Sequence, residues 1–206
     1  MNAVSNYDKV LERWRARFIT MDHAHIAKRF SLRLDAQNLY VDYFAHPFAI
    51  DRASGCVTRL DQPNAALSFD SQINLLNMFH YAVETPIASG ELVPFRSVKR
   101  VYPFESAYVK TIIEPFQQRF SGHVDALQRA FAALQAKPCP QGDASGELQI
   151  LPQLTMAVLF WDGDEEFPAQ ANMLFDSNIT DFMHEENVVG IAAEAARFLE
   201  EASGLK

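Results

Sequence analysis

The sequence predicts a single α+β domain over residues 1–206, with antiparallel strands and several packed helices. Three observations predict it. Apolar residues recur at helical spacing near both ends of the chain, and they alternate with a period of two between residues 31 and 60. A second group of strand-like runs follows in the last third. A chain of this length can bury roughly 70% of the surface that its unfolded form exposes, so one ordinary domain suffices.

Two helices are predicted to begin the chain. Ser5 and Asp8 have the spacing of a capping box in which Asp replaces Glu. Five apolar side chains then share one helical face: Tyr7, Val10, Leu11, Trp14 and Phe18. A second, short helix is predicted over residues 23–29. An antiparallel meander of strands follows between residues 31 and 60, with a turn at residues 51–55.

The middle of the chain is predicted to be mainly helical. Asp70 or Ser71 is expected to cap a mostly buried helix that runs to about Ala82. An extended segment is predicted over residues 91–101, followed by a helix over 105–119 that Pro115 kinks or divides. A helix over 124–136 comes next. Residues 137–146 contain two prolines and two glycines and are predicted to form a flexible loop.

The last third is predicted to form a hairpin followed by a helix. Residues 148–151 and 156–161 are strand-like, and residues 172–175 are expected to pair back on 156–161. The terminal helix is predicted over residues 185–201, ending at Gly204.

The charge is unevenly distributed along the chain, which carries a net charge of −8. Residues 1–103 contain 12 Lys/Arg and 10 Asp/Glu, whereas residues 104–206 contain 6 and 16. Nucleic-acid binding calls for clustered Lys and Arg, so no nucleic-acid partner is expected. An acidic surface fits a metal, a basic partner or simple solubility.

The cysteines and the hydropathy pattern restrict the cellular setting. Cys56 and Cys139 form no CxxC motif and are expected to be reduced thiols. The N-terminus has no apolar core typical of a secretory signal, and no apolar run approaches the roughly 20 residues that cross a bilayer. We therefore expect a cytoplasmic protein that does not enter a membrane.

The strongest candidate site is an acidic turn at residues 161–168 (WDGDEEFP), directly after the apolar run 155–160. Four carboxylates within five residues repel one another, so they need solvent, a cationic partner or a bound cation. Two residues elsewhere, Asp176 and Arg96, extend the candidate set. The candidate ligand- or partner-binding residues are Trp161, Asp162, Asp164, Glu165, Glu166, Asp176 and Arg96.

Several interpretations of this acidic turn remain open. Asp162, Asp164 and Glu166 are alternate oxygen donors for a hard cation, but Phe167 stands where an EF-hand loop requires glycine. A solvated hairpin tip, with one acid accepting bonds from turn amides, is the simpler alternative. Acid–base catalysis by Asp164 and Glu166 would require environments that separate their pKa values.

The histidines are weaker candidates. His23 and His25 have a spacing that binds metals in an extended segment, but at a helix start the two side chains diverge. His80 falls on an apolar helical stripe, so we expect a buried, hydrogen-bonded histidine. His184 precedes the terminal helix and is expected to lie in its capping region.

Several short stretches resemble a family of anaerobic bacteria and archaea that is known only as a domain of unknown function. They are residues 6–8 (NYD), 95–96 (FR), 110–116 (KTIIEPF), 160–168 (FWDGDEEFP) and 174–176 (LFD). The resemblance implies no established activity. It implies an association with iron–sulfur or corrinoid proteins, whose clusters would belong to the partner because this chain has no cysteine array. Ser97 follows Arg96 where the family pattern has an acid, which weakens any role for Arg96.

No sequence motif names a reaction. The chain contains no GxSxG elbow, P-loop or GxGxxG motif. We therefore expect a non-catalytic accessory or binding protein of anaerobic metabolism, whose acidic site holds a cation or a basic partner. The alternative is a metal-assisted hydrolase or lyase that uses the carboxylates of the acidic turn with Asp176, which must then converge on one point. A structural subunit is a third possibility.

Overall fold

The computed structural model describes residues 6–205, so Ser5 of the predicted capping box lies outside the described residues. Helix α1 spans Asn6–Ile19, and α2 spans His23–Phe30. Asp22 caps α2, because its carboxylate accepts a hydrogen bond from the backbone N–H of His25 at 3.0 Å. Both N-terminal helices are thus formed as predicted.

The first sheet is the predicted antiparallel meander. It consists of β1 (Arg33–Leu34), β2 (Asn38–Tyr43), β3 (His46–Asp51) and β4 (Val57–Arg59) in sequential order. The turn from β2 to β3 places both Phe44 and Ala45 at positive φ, +50° and +61°. That conformation matches the twist of a two-residue hairpin, although glycine or asparagine adopts it more easily.

The second sheet has five antiparallel strands in the order β5-β9-β8-β7-β6. The strands are β5 (Leu92–Pro94), β6 (Lys137–Pro138), β7 (Ala144–Leu151), β8 (Leu154–Trp161) and β9 (Gln170–Asp176). Trp161 pairs with Gln170, so β8 and β9 form the predicted hairpin with the acidic turn at its tip. A backbone hydrogen bond of 3.3 Å from Phe44 to Ile150 connects the two sheets.

The remaining helices pack against these sheets. They are α3 (Phe69–Tyr81), α4 (Glu105–Tyr108), α5 (Glu114–Phe120), α6 (Val124–Ala133), α7 (Ile179–Phe182) and α8 (Glu185–Ser203). Helix α3 begins earlier than predicted, because Ser68 rather than Asp70 or Ser71 caps it by accepting a hydrogen bond from the N–H of Ser71. Helix α8 ends at Gly204, which has the expected left-handed conformation.

Two predicted segments differ in the structure. Only Leu92–Pro94 of the predicted extended segment is a strand, and a 3₁₀ turn follows at Phe95–Ser97. The predicted loop 137–146 contains β6 and the first residues of β7, so its prolines and glycines lie partly at a sheet edge. Proline is tolerated at an edge strand, where its missing N–H breaks no ladder hydrogen bond.

The helical geometry changes around Pro115. A π-helical turn at Val109–Ile113 joins α4 to α5, immediately before Pro115. Proline lacks the N–H that would bond to residue 111, and its ring would clash with that carbonyl in a regular helix. The wider π turn relieves the clash.

One continuous hydrophobic core joins both sheets and the helices. Its largest fully buried side chains come from both sheets and from six helical segments: Phe18, Phe30, Tyr43, Phe44, Phe48, Phe95, Phe116, Phe120, Phe160, Phe175, Phe182 and Phe198. Within residues 6–205, no helix is long and apolar enough to cross a membrane.

Candidate functional site

The acidic turn forms a solvated hairpin tip in which two carboxylates bind backbone amides. Asp164 accepts hydrogen bonds from the N–H groups of Glu166 and Phe167, both at 2.8 Å. These bonds hold the pKa of Asp164 below its ordinary value. Asp162 accepts from the N–H of Gly122 at 2.8 Å and thereby ties the tip to the start of α6. Glu165 and Glu166 extend into solvent.

The tip is also partly apolar. Trp161 is 39% exposed and Phe167 is 67% exposed, so two aromatic side chains stand beside exposed acids. Exposed aromatics at such a position are typical of contact surfaces rather than of solubilising turns.

Asp176 lies at the opposite end of β9 from the tip and has a structural role. It is buried, and it accepts hydrogen bonds from the N–H groups of Ser89, Gly90 and Asn178. Although burial alone would raise the pKa of Asp176, these bonds together lower it. Asp176 thus fixes the loop before β5, and the seven-residue strand separates it from the other acids.

The predicted carboxylates therefore do not converge. Among residues 6–205 no group of three His, Cys, Asp or Glu side chains has a metal-binding arrangement. Arg96, in the 3₁₀ turn after β5, is exposed.

The histidines and cysteines have separate local contacts. His23 is buried and bonds the Phe18 carbonyl at 2.8 Å, whereas His25 pairs with Glu84 at 3.2 Å. His184 caps α8 as predicted, because its Nδ1 accepts from the N–H of Glu186. The prediction for His80 is wrong: it is exposed beside Trp14, because the last turn of α3 emerges at the surface.

Cys56 and Cys139 are both free. Burial raises the pKa of the Cys139 thiol, and the negative charge of Glu147 adds to that effect. A raised thiol pKa lowers the thiolate fraction, so Cys139 is not an activated nucleophile.

A pocket of about 500 Å³ lies between helices α1, α3 and α8 and the π-helical turn. We call it the helix pocket. Its aromatic lining consists of Trp14, Phe69 and Phe104, and further apolar side chains come from α3, α8 and the π turn. This volume falls within the range of roughly 300–1,000 Å³ that is typical of small-molecule sites. The polar lining consists of Asp70, Asn74, Asn77, Thr111, Glu186 and Asn187.

Two buried asparagines hold α3 against α8 at the floor of the pocket. The Asn187 amide donates a hydrogen bond to Oδ1 of Asn74 at 2.8 Å, and the Asn74 amide donates to the Tyr43 hydroxyl at 3.4 Å. Gly190 permits this close approach, because a Cβ there would lie 2.8 Å from Asn74 Oδ1. Burial raises the pKa of Tyr43, so its hydroxyl stays protonated.

Asn77 is the unsatisfied member of this group. It lines the pocket and is only 7% exposed, yet its Oδ1 has no hydrogen-bond partner among the described residues. A buried acceptor without a donor costs about 1–3 kcal/mol, so such groups are rare and require an explanation.

A buried acidic cluster lies behind one end of the pocket. Glu194 is only 1% exposed and accepts hydrogen bonds from Ser68, Ser71 and Arg197. Burial raises the pKa of the neighbouring Asp70, the charge of Glu194 raises it further, and Arg197 opposes this. A carboxyl group with a raised pKa beside a pocket is typical of a functional site.

No sequence pattern predicted the helix pocket. Asp70, Asn74 and Asn77 have the spacing i, i+4 and i+7 and therefore share one helical face, which was a usable signal. The apolar residues around them allowed the helix to be predicted as buried. They also made the line of polar residues on one face hard to recognise. This polar line matters because Gly190 lies opposite it in the folded chain. Gly190 is more than a hundred residues away in the sequence, so no local pattern shows the contact.

Comparison with known proteins places the chain in a family without assigning an activity. Searches among curated proteins and among solved structures returned no match. The profile of one domain family matches residues 22–197, which include α2, both sheets and most of α8. The chain therefore belongs to the family described as domain of unknown function DUF3786.

Proposed function

We propose that this protein is a non-catalytic binding protein that holds a small organic ligand in the helix pocket. The single observation that carries the proposal is the pocket itself, which has a volume of about 500 Å³, apolar walls and a few polar side chains. Polar lining residues such as Asp70 and Thr111 would orient the polar groups of a bound molecule. The aromatic and aliphatic walls would bury the apolar part of such a molecule.

Heteronuclear NMR of the two tryptophan indole groups tests the proposal. Trp14 lines the pocket, whereas Trp161 lies at the hairpin tip and serves as an internal control. In a screen of small organic fragments, binders are expected to shift the indole N–H signal of Trp14 and leave that of Trp161 unchanged. A screen in which no fragment moves the Trp14 signal selectively would contradict the proposal.

A second proposal concerns the hairpin tip as a docking surface for a protein partner. Exposed Trp161 and Phe167 stand beside the exposed carboxylates of Glu165 and Glu166, which together suit a basic surface with an apolar centre. The resemblance supports an accessory role in anaerobes, with an iron–sulfur or corrinoid protein as the partner. The acidic balance of residues 104–206 favours a basic protein surface over nucleic acid as the partner. A cytoplasmic location without a membrane partner is part of the same proposal.

Calorimetry with a purified corrinoid or iron–sulfur protein tests this second proposal. The variant Glu165→Gln/Glu166→Gln is expected to weaken binding at low salt and to lose the salt dependence, because these acids are exposed. Asp164 is left unchanged, since its carboxylate holds the turn. Equal affinity of variant and wild type would contradict docking at the tip.

A further inference from the structure

The charges that line the helix pocket have one sign. Asp70 and Glu186 are its ionisable lining residues, and no Lys, Arg or His lies among the described residues that line it. The charge of Glu194 also acts on Asp70 from behind the pocket, although Arg197 partly compensates it. An anionic ligand would be repelled at both carboxylates, so the pocket favours a cation.

The two carboxylates lie toward opposite ends of the pocket. Ser71 bonds Glu194, whereas Asn74 bonds Asn187, so α3 and α8 run antiparallel. Asp70 therefore lies toward the Glu194 end of the helix pair, and Asn77 lies toward the Glu186 end. Seven residues of helix separate Asp70 from Asn77, which corresponds to about 10 Å along the axis.

The region between these ends is mainly apolar. Ile73, Val189 and Ala193 line it from α3 and α8, and aromatic rings line it from α1, α3 and the 3₁₀ turn at Tyr102–Phe104. Such walls suit methylene groups, and aromatic rings also attract cations. An ammonium group offers three donors and accepts none, unlike a carboxylate or an ether.

We infer that the helix pocket binds an aliphatic polyamine, an elongated molecule with an ammonium group toward each end and methylene groups between them. This inference rests on the proposed function and adds the chemical class of the ligand. One ammonium group lies near Asp70, and the other lies near Glu186. The methylene groups lie along the apolar wall.

Calorimetry with a series of simple probes tests the inference. The polyamines are the diamines diaminobutane, diaminohexane and diaminooctane and the triamine spermidine. The comparison molecules are hexylamine with one charge, hexanediol with none and adipate with two negative charges. We expect one of the longer diamines to bind most tightly, hexylamine to bind about fivefold more weakly than diaminohexane, and adipate to bind least.

Three single variants locate the charges that matter. Asp70→Asn and Glu186→Gln are each expected to weaken diamine binding about fivefold and to leave hexanediol binding unchanged. Glu185→Gln is the matched control, because Glu185 is adjacent to Glu186 but does not line the pocket. An equal loss in Glu185→Gln would show general attraction to an acidic protein and would overturn the inference.

The remaining outcomes separate this inference from the proposed function. If hexanediol or adipate binds as tightly as diaminohexane, the inference is overturned and the pocket remains a ligand site. If no probe binds while other fragments shift the Trp14 indole signal, the inference again fails alone. If no probe binds and no fragment shifts the Trp14 indole signal, both the inference and the proposed function are wrong.

Discussion

At the scale of single residues, the turn between β2 and β3 contains strain that its sequence does not relieve. Ala45 is exposed and has a φ of +61°, a conformation that costs an L-residue with a Cβ roughly 1–2 kcal/mol. Alanine offsets part of this cost relative to glycine, because a glycine at position 45 would lose more conformational entropy on folding. The turn therefore holds its shape through its neighbours, among them the buried Phe44.

Replacing Ala45 by Gly is expected to stabilise the protein by about 0.5–1 kcal/mol, since glycine adopts positive φ without strain. Urea unfolding measures the change. Ala53→Gly is the matched control: Ala53 is exposed in the turn before β4 but has no positive φ, so glycine should destabilise there. A loss of stability in both variants would show that the β2–β3 turn is not formed as described.

Asp70 gives a pH-dependent prediction at the same scale. Its pKa is raised above 3.8 by burial and by Glu194, with Arg197 opposing and Glu186 also lining the pocket. The folded state therefore binds the Asp70 proton more readily than the unfolded state. Stability falls as the pH rises from 3.8 through the folded pKa, and the full cost is present above the folded pKa.

The variant Asp70→Asn should accordingly be more stable than the wild type at neutral pH, and this advantage should disappear at a pH below both pKa values. Thermal or urea unfolding of both proteins across this range measures the difference. An advantage that is constant across the range, or that grows toward acid pH, would contradict the raised pKa.

At the scale of elements, the contact between α3 and α8 determines the shape of the pocket. A Cβ at Gly190 would lie 2.8 Å from Oδ1 and 3.0 Å from Nδ2 of Asn74, closer than a packed side chain allows. Gly190→Ala should therefore push the helices apart and cost about 1–3 kcal/mol, despite the higher helix propensity of alanine.

A double-mutant cycle with Asn74→Ala identifies the cause. Truncating Asn74 removes the atoms that clash with the new Cβ, so Gly190→Ala should cost less in that background, with a coupling of about 0.5–3 kcal/mol. Strictly additive costs in denaturant unfolding would mean that Gly190 is required for a reason other than the approach of Asn74.

Local patterns predicted most elements of this fold. The meander between residues 33 and 59 and the β8–β9 hairpin follow from a period of two and from turn residues, which act over a few positions. Pro115 predicted an irregular helix, but whether the chain bends, breaks or widens into a π turn depends on packing. The exposure of His80 depended on where α3 leaves the core.

The candidate sites show where sequence patterns stop being informative. The acidic turn was visible because its residues are contiguous, but its carboxylates bind nearby amides or extend into solvent. The helix pocket was hidden, because its residues come from α1, α3, the π turn and α8 and meet only in the folded chain. A line of asparagines in a buried helix was the one local sign of it.

At the scale of the whole molecule, one core fixes both sheets and the helices around the pocket, so a change there acts on the stability of the entire fold. Asn77 is the position where stability and ligand binding should oppose each other. Its unpaired acceptor destabilises the free protein, and its side chain lines the pocket, so a larger side chain there would intrude on a bound ligand. Replacing Asn77 by a larger apolar residue should therefore raise the stability of the free protein and weaken ligand binding.

The most direct test of the account is therefore a paired measurement on Asn77→Leu, with Asn74→Leu as the control. For Asn77→Leu we predict a rise in the free energy of unfolding of about 1–2 kcal/mol and a loss of the fragment-induced shift at the Trp14 indole. Asn74→Leu should instead destabilise the protein, because it leaves the Asn187 amide without its acceptor. A destabilised Asn77→Leu that still binds fragments as the wild type does would contradict the assignment of the helix pocket as a ligand site.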